Sequence, residues 1–239
     1  MSYLAKPNGQ PYFDASEMLM MHDMLRREFA LMPGVVGRVA AGDHDRTQIV
    51  GDHIKNVSTV LHGHHVLEDE NVWPLLVDRC GASVAPLVEL MEDQHQRVAS
   101  LIHQVDEALT TWRDSPTVTS RDALVEAFAP LITALAQHLG AEEHLVVPLM
   151  EQHITAAEWN DMISREAVHL HLKPDQLPAY VGMLMYEGNP HSVDQAIAIL
   201  PEDTRLIVKQ VAPQAFAAHS QQIHGTTTPP RSTELRTST

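Results

Sequence analysis

Cysteine is almost missing from this chain: Cys80 stands alone among 239 residues. One thiol cannot build an internal disulfide framework or a thiolate-ligated metal cluster, and it fits a reducing, cytoplasmic setting. Aromatic residues are scarce at 5%, although hydrophobic residues reach 44%. Leu, Val, Ala, Ile and Met therefore carry the apolar load, which favours helices packed through aliphatic seams over a β-sandwich. Positive charge is also short. Sixteen Lys and Arg face 31 Asp and Glu, for a net charge of −15. That leaves no basic footprint for nucleic acid, while an acidic surface raises the local concentration of cations. No run approaches the ~18 uninterrupted apolar residues of a membrane span. The opening residues, MSYLAKPNGQ, lack the apolar core of a signal peptide. Neither a membrane segment nor a secretory leader is expected. What the chain has in excess is histidine, with sixteen.

Breaker residues divide the first two thirds into four helical stretches. The first runs from about residue 14 to 41, capped by Asp14 or Ser16 and kinked near Pro33 and Gly34. The second spans 45–79, perturbed at Pro74 and stopped by Gly81. The third spans 83–112 and ends at Asp114, Ser115 and Pro116. The fourth spans 120–151, interrupted at Pro130 and Pro148. Each carries an apolar seam with steps of three or four. The seams read Met18, His22, Leu25, Phe29, Met32, Val36; then Val50, Ile54, Val57, Leu61, His64, Glu68; then Val84, Val88, Met91, His95, Val98, Ile102, Val105, Leu109; then Leu124, Phe128, Leu131, Leu135, His138, Glu142, Leu145, Leu149. This is the pattern of helices packed at shallow angles. It predicts an all-α fold, an antiparallel up-down-up-down four-helix bundle over 14–154. Residues 1–13 form an arm, 155–224 a proline-divided helical extension that packs on the bundle or a partner, and 225–239 a polar, disordered tail.

Six polar residues interrupt these seams: His22, His64, Glu68, His95, His138 and Glu142. Counted from the loops at Gly42, Gly81 and Pro116, the four histidines differ in height by only about 2–5 Å at helical rise. They should converge on one slab of the core. His64–Glu68 and His138–Glu142 are spaced i, i+4, on one helix face. The two copies echo one another: HHVLEDENVWP and HLGAEEHLVVP both read His, three residues, Glu, an acid, four residues, Pro. Two such helices suit a symmetric two-metal site. Buried Glu is costly unless paired, and imidazole with carboxylate suits iron or manganese, with zinc also able to bind.

A lone core histidine is usually just hydrogen-bonded; six ligand types at one level reverse that reading. Other residues read more blandly. His65 and Asp69 fall at the seam edge, as supports for the ligands. His62, Glu70, Glu143 and His144 read as peripheral. His44, His53, His103 and His153 have no partner pattern, and His169 and His171 read as surface residues. The methionines at 18, 20, 21, 24 and 32 read as core filler.

The stretches MMHDMLRREF, HHVLEDENVWPLL, EDQHQRVASLI and HLGAEEHLVVPLM resemble the four helices of the hemerythrin-like HHE cation-binding family, in a long bacterial form with a C-terminal extension. The resemblance implies two irons, oxo- or hydroxo-bridged and carboxylate-bridged, with His22, His64, Glu68, His95, His138 and Glu142 as ligands. It implies a small oxidant as partner: dioxygen, peroxide or nitric oxide, with catalase- or peroxidase-like activity or sensing. Oxygen-carrying members have a second His on the third helix, one turn before the first. Here that position is Met91. A thioether ligates ferric iron poorly, which implies an open position suited to peroxide or nitric oxide. The alternative is a non-enzymatic iron-binding or redox-sensing module acting through the extension, and a third reading is a metal-free helical interaction protein.

Overall fold

A computed structural model describes residues 11–166, 176–198 and 200–236. His169 and His171 lie outside them, as do most of the expected N-terminal arm and the last three residues. Among the described residues there is no β-strand, only an isolated bridge between Tyr12 and Thr155. Four long helices form the core: α1 (Ser16–Gly37), α2 (His44–Leu67), α4 (Ala85–Asp114) and α5 (Val118–Leu145). A short α3 (Trp73–Cys80) continues α2 and α6 (Val147–His153) continues α5. Each long helix packs on the one before it and the one after, and α5 returns to α1. The Gly42 N–H donates to the Pro116 carbonyl at 2.7 Å, so the loops after α1 and α4 share one end. At the other end the Phe13 N–H donates to the Ile154 carbonyl at 2.9 Å. These contacts are those of antiparallel neighbours.

Asp43 caps α2 by accepting from the Arg46 N–H, and Thr117 with Ser120 forms a reciprocal capping box on α5. The seams hold, with one exception: Leu145 is 42% exposed. α5 ends there, and the break at Val146 shifts the phase, so that Val146, Val147 and Met150 take over the core positions. Neither Pro33 nor Pro130 breaks its helix. Both sit beside buried residues, Met32 and Val35 for one, Phe128 and Leu131 for the other. That packing outweighs one lost backbone hydrogen bond. Pro74 and Pro148 behave differently. A π-helical turn, Glu68–Val72, precedes Pro74, and Pro148 sits in the first turn of α6. The first disruption begins at Glu68 of one HxxxE pair, and the second falls four residues after Glu142 of the other.

By length and composition alone Val118–His153 is apolar enough to cross a membrane, although it contains no uninterrupted apolar run of that length. In this fold its Leu124, Phe128, Leu131 and Leu135 are buried in the bundle core.

The extension packs on the bundle. α7 (Ala156–Glu166) lies against α2, while α8 (Leu177–Glu187), α9 (Pro190–Ala196) and α10 (Glu202–His224) pack on α1, with α10 also on α8. Arg27 of α1 is the anchor. It is wholly buried, donates to Glu187 Oε1 at 2.6 Å and the Met183 carbonyl at 3.2 Å, and lies over the rings of Tyr186 and Phe216. The expected disorder from Gly225 does not hold through 236. Tyr186 donates its hydroxyl proton to the Pro229 carbonyl, Arg231 lies over the Tyr186 ring, and Ser232 donates to Asp23 Oδ1 at 3.0 Å before α11 (Ser232–Arg236). A polar tail gains order here because it finds specific partners on α1 and α8.

The α8–α10 contact depends on a missing side chain. A Cβ at Gly182 would fall 2.0 Å from the Ala212 carbonyl oxygen and 2.7 Å from Phe216 Cβ. Gly182→Ala is expected to destabilise the chain by about 1–3 kcal/mol, read as a lower urea midpoint. An unchanged midpoint would show that these helices do not pack this closely.

Candidate metal centre

All six seam residues meet at one level of the bundle. Glu68 lies between two pairs of elements: its Oε1 is 3.3 Å from His64 Nε2, and its Oε2 is 3.4 Å from His95 Nε2. Glu142 Oε2 lies 3.3 Å from His22 Nε2 and 3.7 Å from His138 Nε2. The Nε2 atoms of His22 and His64 are 3.2 Å apart. The donors fall into two groups, His22, His64, Glu68 and Glu142 in one, and His65, His95 and His138 in the other. Each carboxylate thus faces an imidazole of both groups.

The ring nitrogens that point away from the centre are held. His22 Nδ1–H donates to Glu143 Oε1 at 3.0 Å, and Arg26 donates to the same oxygen at 2.5 Å. His95 Nδ1–H donates to Asp69 Oδ1 at 2.7 Å, which also accepts from the Trp73 indole at 2.9 Å. His138 Nδ1–H donates to Gln94 Oε1 at 3.2 Å. A proton fixed on Nδ1 leaves the Nε2 lone pair for the centre, the arrangement metal-ligating histidines use.

Electrostatics point the same way. Burial, with Glu142 nearby, drives the Glu68 carboxyl well above the usual carboxylate range. Burial also pushes Glu142 up, but His22 and the other imidazoles bring it below that range. Burial lowers His22, yet Glu142 and Glu143 raise it overall. Burial and His22 hold His64 at about 3, and burial holds His138 at about 4. Burial and His95 hold His65 well below its ordinary value. Three of the imidazoles are therefore kept neutral, as ligands must be.

The fit to cations rests on unpaired atoms. His65 Nε2, His95 Nε2, His138 Nε2 and both oxygens of Glu68 and of Glu142 are buried without a hydrogen-bond partner. Each orphaned group costs about 1–3 kcal/mol. Native cores leave few such groups, and seldom side by side. Bound cations would give these donor atoms partners. With nitrogen and oxygen donors and no thiolate, the set suits iron, manganese or zinc.

The family model described as hemerythrin HHE cation binding domain matches residues 14–150, with an overlapping match over 86–171. The chain belongs to the hemerythrin HHE cation-binding family. Uncharacterized proteins of Mycobacterium tuberculosis and Mycobacterium bovis are 24% identical to this HHE protein over 155 residues, covering 64% of it. The match takes in 59% of each relative, so the chain spans about three-fifths of the length of the curated relatives it matches. No solved structure matches it.

Two residues of this HHE protein were underrated by seam position alone. His65, placed at the seam edge, is 6% exposed, and its ring stacks on that of His95 with centroids 4.0 Å apart. It offers a third imidazole to the second donor group. Met91, by contrast, is a fully buried packing residue in the cluster around Trp73 and Val88. Glu143, read as peripheral, holds His22. The signal was in the internal echo: each HxxxE is followed at once by an acid, and Asp69 and Glu143 both hold a histidine of a neighbouring helix. His62, Glu70 and His144 are exposed, as expected.

Asp69→Asn weakens the grip on His95 and is expected to lower metal affinity about 10–100-fold with little change in helicity, measured by chelator competition. Equal affinity would remove Asp69 from the account. The sign of the pH dependence also follows. A cation entering expels the proton that burial favours on Glu68, so apparent affinity should rise with pH and weaken as pH falls. Affinity independent of pH between 5 and 8 would contradict this.

Proposed function

We propose that this HHE protein is a non-haem di-iron protein that binds or reacts with a small oxidant, dioxygen, peroxide or nitric oxide. The observation that carries the reading is the set of seven orphaned donor atoms, three imidazole nitrogens and four carboxylate oxygens, in one buried slab. His22, His64, Glu68 and Glu142 would hold one iron, and His65, His95 and His138 the other, with both carboxylates shared. Bound iron supplies one-electron chemistry and a binding place for small oxidants.

The chain's own residues set what reaches that place. A cavity of about 370 Å³ abuts His64 and is lined by Met18, Met20, Met21, Leu67, Trp159 and Leu184, with a mostly apolar wall. An apolar approach favours small uncharged molecules over anions. It borders His64, so an exogenous ligand would arrive on that side. Arg26 and Glu143 hold His22 in orientation on that side. The buried methionines lining the cavity are themselves oxidisable, which sets a cost on leakage of peroxide.

The supply of His65 changes the expectation drawn from Met91. The second donor group has three imidazoles, so the access route and not the Met91 position selects where the oxidant binds. Protein purified from iron-rich medium is expected to carry about two irons per chain and near-ultraviolet ligand-to-iron absorption that changes on adding peroxide or nitric oxide. Loaded protein with one iron or none, or a spectrum indifferent to all three oxidants, would overturn the proposal.

A further inference from the structure

A second group of buried ligand-type side chains lies apart from the four-helix centre, about 9 Å further along α1 at helical rise. Glu28 on α1 is fully buried and His53 on α2 is 2% exposed. His224, the last residue of α10, reaches the same spot with a side chain 5% exposed. His53 Nε2 lies 3.0 Å from Glu28 Oε2, and His224 Nε2 lies 3.1 Å from that same oxygen. Glu28 Oε1 is held by Arg27, with Nε at 2.8 Å and Nη2 at 2.7 Å. The carboxylate is therefore pinned from behind and presents one oxygen to two imidazoles. His53 is pinned as well, its Nδ1 lying 3.1 Å from His219 Nε2. Burial holds His219 at about 4, so it stays neutral and can accept the His53 Nδ1 proton.

We propose that Glu28, His53 and His224 form a separate binding site for one divalent cation of the zinc class, which clamps the C-terminal extension to the bundle. The donor atoms all lie within 4.8 Å of one another. Tetrahedral zinc bonds of about 2.0–2.1 Å place ligand atoms roughly 3.3 Å apart, so the observed 3.0–3.1 Å spacings need only small adjustments. Two imidazoles and one carboxylate leave a fourth position for water. In the ion-free protein the same contacts serve as hydrogen bonds. A plain hydrogen-bonded network, though, does not require both rings to turn the same nitrogen to a single oxygen. Nor does it require Glu28 and His53 to be braced on their far sides, by Arg27 and His219, as metal ligands are. A route in exists: a cavity of about 270 Å³ borders His53 and His219, and Asp52 lines it. The ligands come from positions 28, 53 and 224, so one ion would tie together segments far apart in the chain and stabilise their packing by binding only the folded form.

The test uses the full chain, loaded with iron and then exposed to zinc. Anomalous diffraction at the zinc edge is expected to show a peak between Glu28, His53 and His224. His224→Gln, folded by circular dichroism, is expected to bind one zinc fewer per chain and to lose the zinc-dependent rise in Tm, while its iron content is unchanged. A zinc-edge map without density beside Glu28 overturns the proposal, as does equal zinc stoichiometry in folded His224→Gln. Should that variant fail to fold, the zinc-edge map of the unaltered chain decides.

Discussion

Two carboxylates, Glu68 and Glu142, face the same small volume inside an aliphatic interior, and neither has a hydrogen-bond partner. Buried acids in that position repel one another and forfeit their hydration. Much of what surrounds them reads as accommodation of that cost. Four imidazoles from four helices aim Nε2 inward, a fifth from His65 stacks beside them, and the outward nitrogens of His22, His95 and His138 are fixed by Glu143, Asp69 and Gln94. Among the described residues, Arg26 touches Glu143 and not the inner carboxylates. The remaining charge balance falls to cations.

The backbone is adapted at the same two places. From Glu68 the helix widens into a π turn, and four residues after Glu142 it breaks at Val146. A wider turn re-aims successive side chains, a common device at functional sites. It lets Glu68 face inward while its neighbour Asp69 reaches across to His95. Glu142 and Glu143, by contrast, lie in regular helix just before the break at Val146. A pseudo-two-fold relation between the halves follows: each supplies a central carboxylate and an adjacent acid that positions a histidine on another helix. The echo in the sequence thus has a structural counterpart in the paired acids Glu68–Asp69 and Glu142–Glu143.

The period of three and four made the long helices and their buried faces legible, because aliphatic burial dominates packing and repeats regularly. The six polar seam residues that meet in the core were legible for the same reason, as polar residues standing where Leu or Val belonged. His65 and Glu143 were not, since both lie one residue beyond a seam position, and only the assembled helices bring His65 onto the His95 ring and Glu143 onto His22. Helix continuity through Pro33 and Pro130 was missed because tertiary packing there outweighs a local penalty. The Glu28–His53–His224 group was invisible: its members come from elements that meet only when α10 folds back over α1 and α2. The order of residues 225–236 was missed on similar grounds, because a polar segment was judged without the surface it contacts.

The central claim is that the facing carboxylates share two cations. Diffraction from iron-loaded crystals at the iron absorption edge tests it most directly. The account predicts two anomalous peaks in the slab between Glu68 and Glu142, one on the His22–His64 side and one on the His95–His138 side. A single peak, or iron bound elsewhere while this slab holds only water, would contradict it.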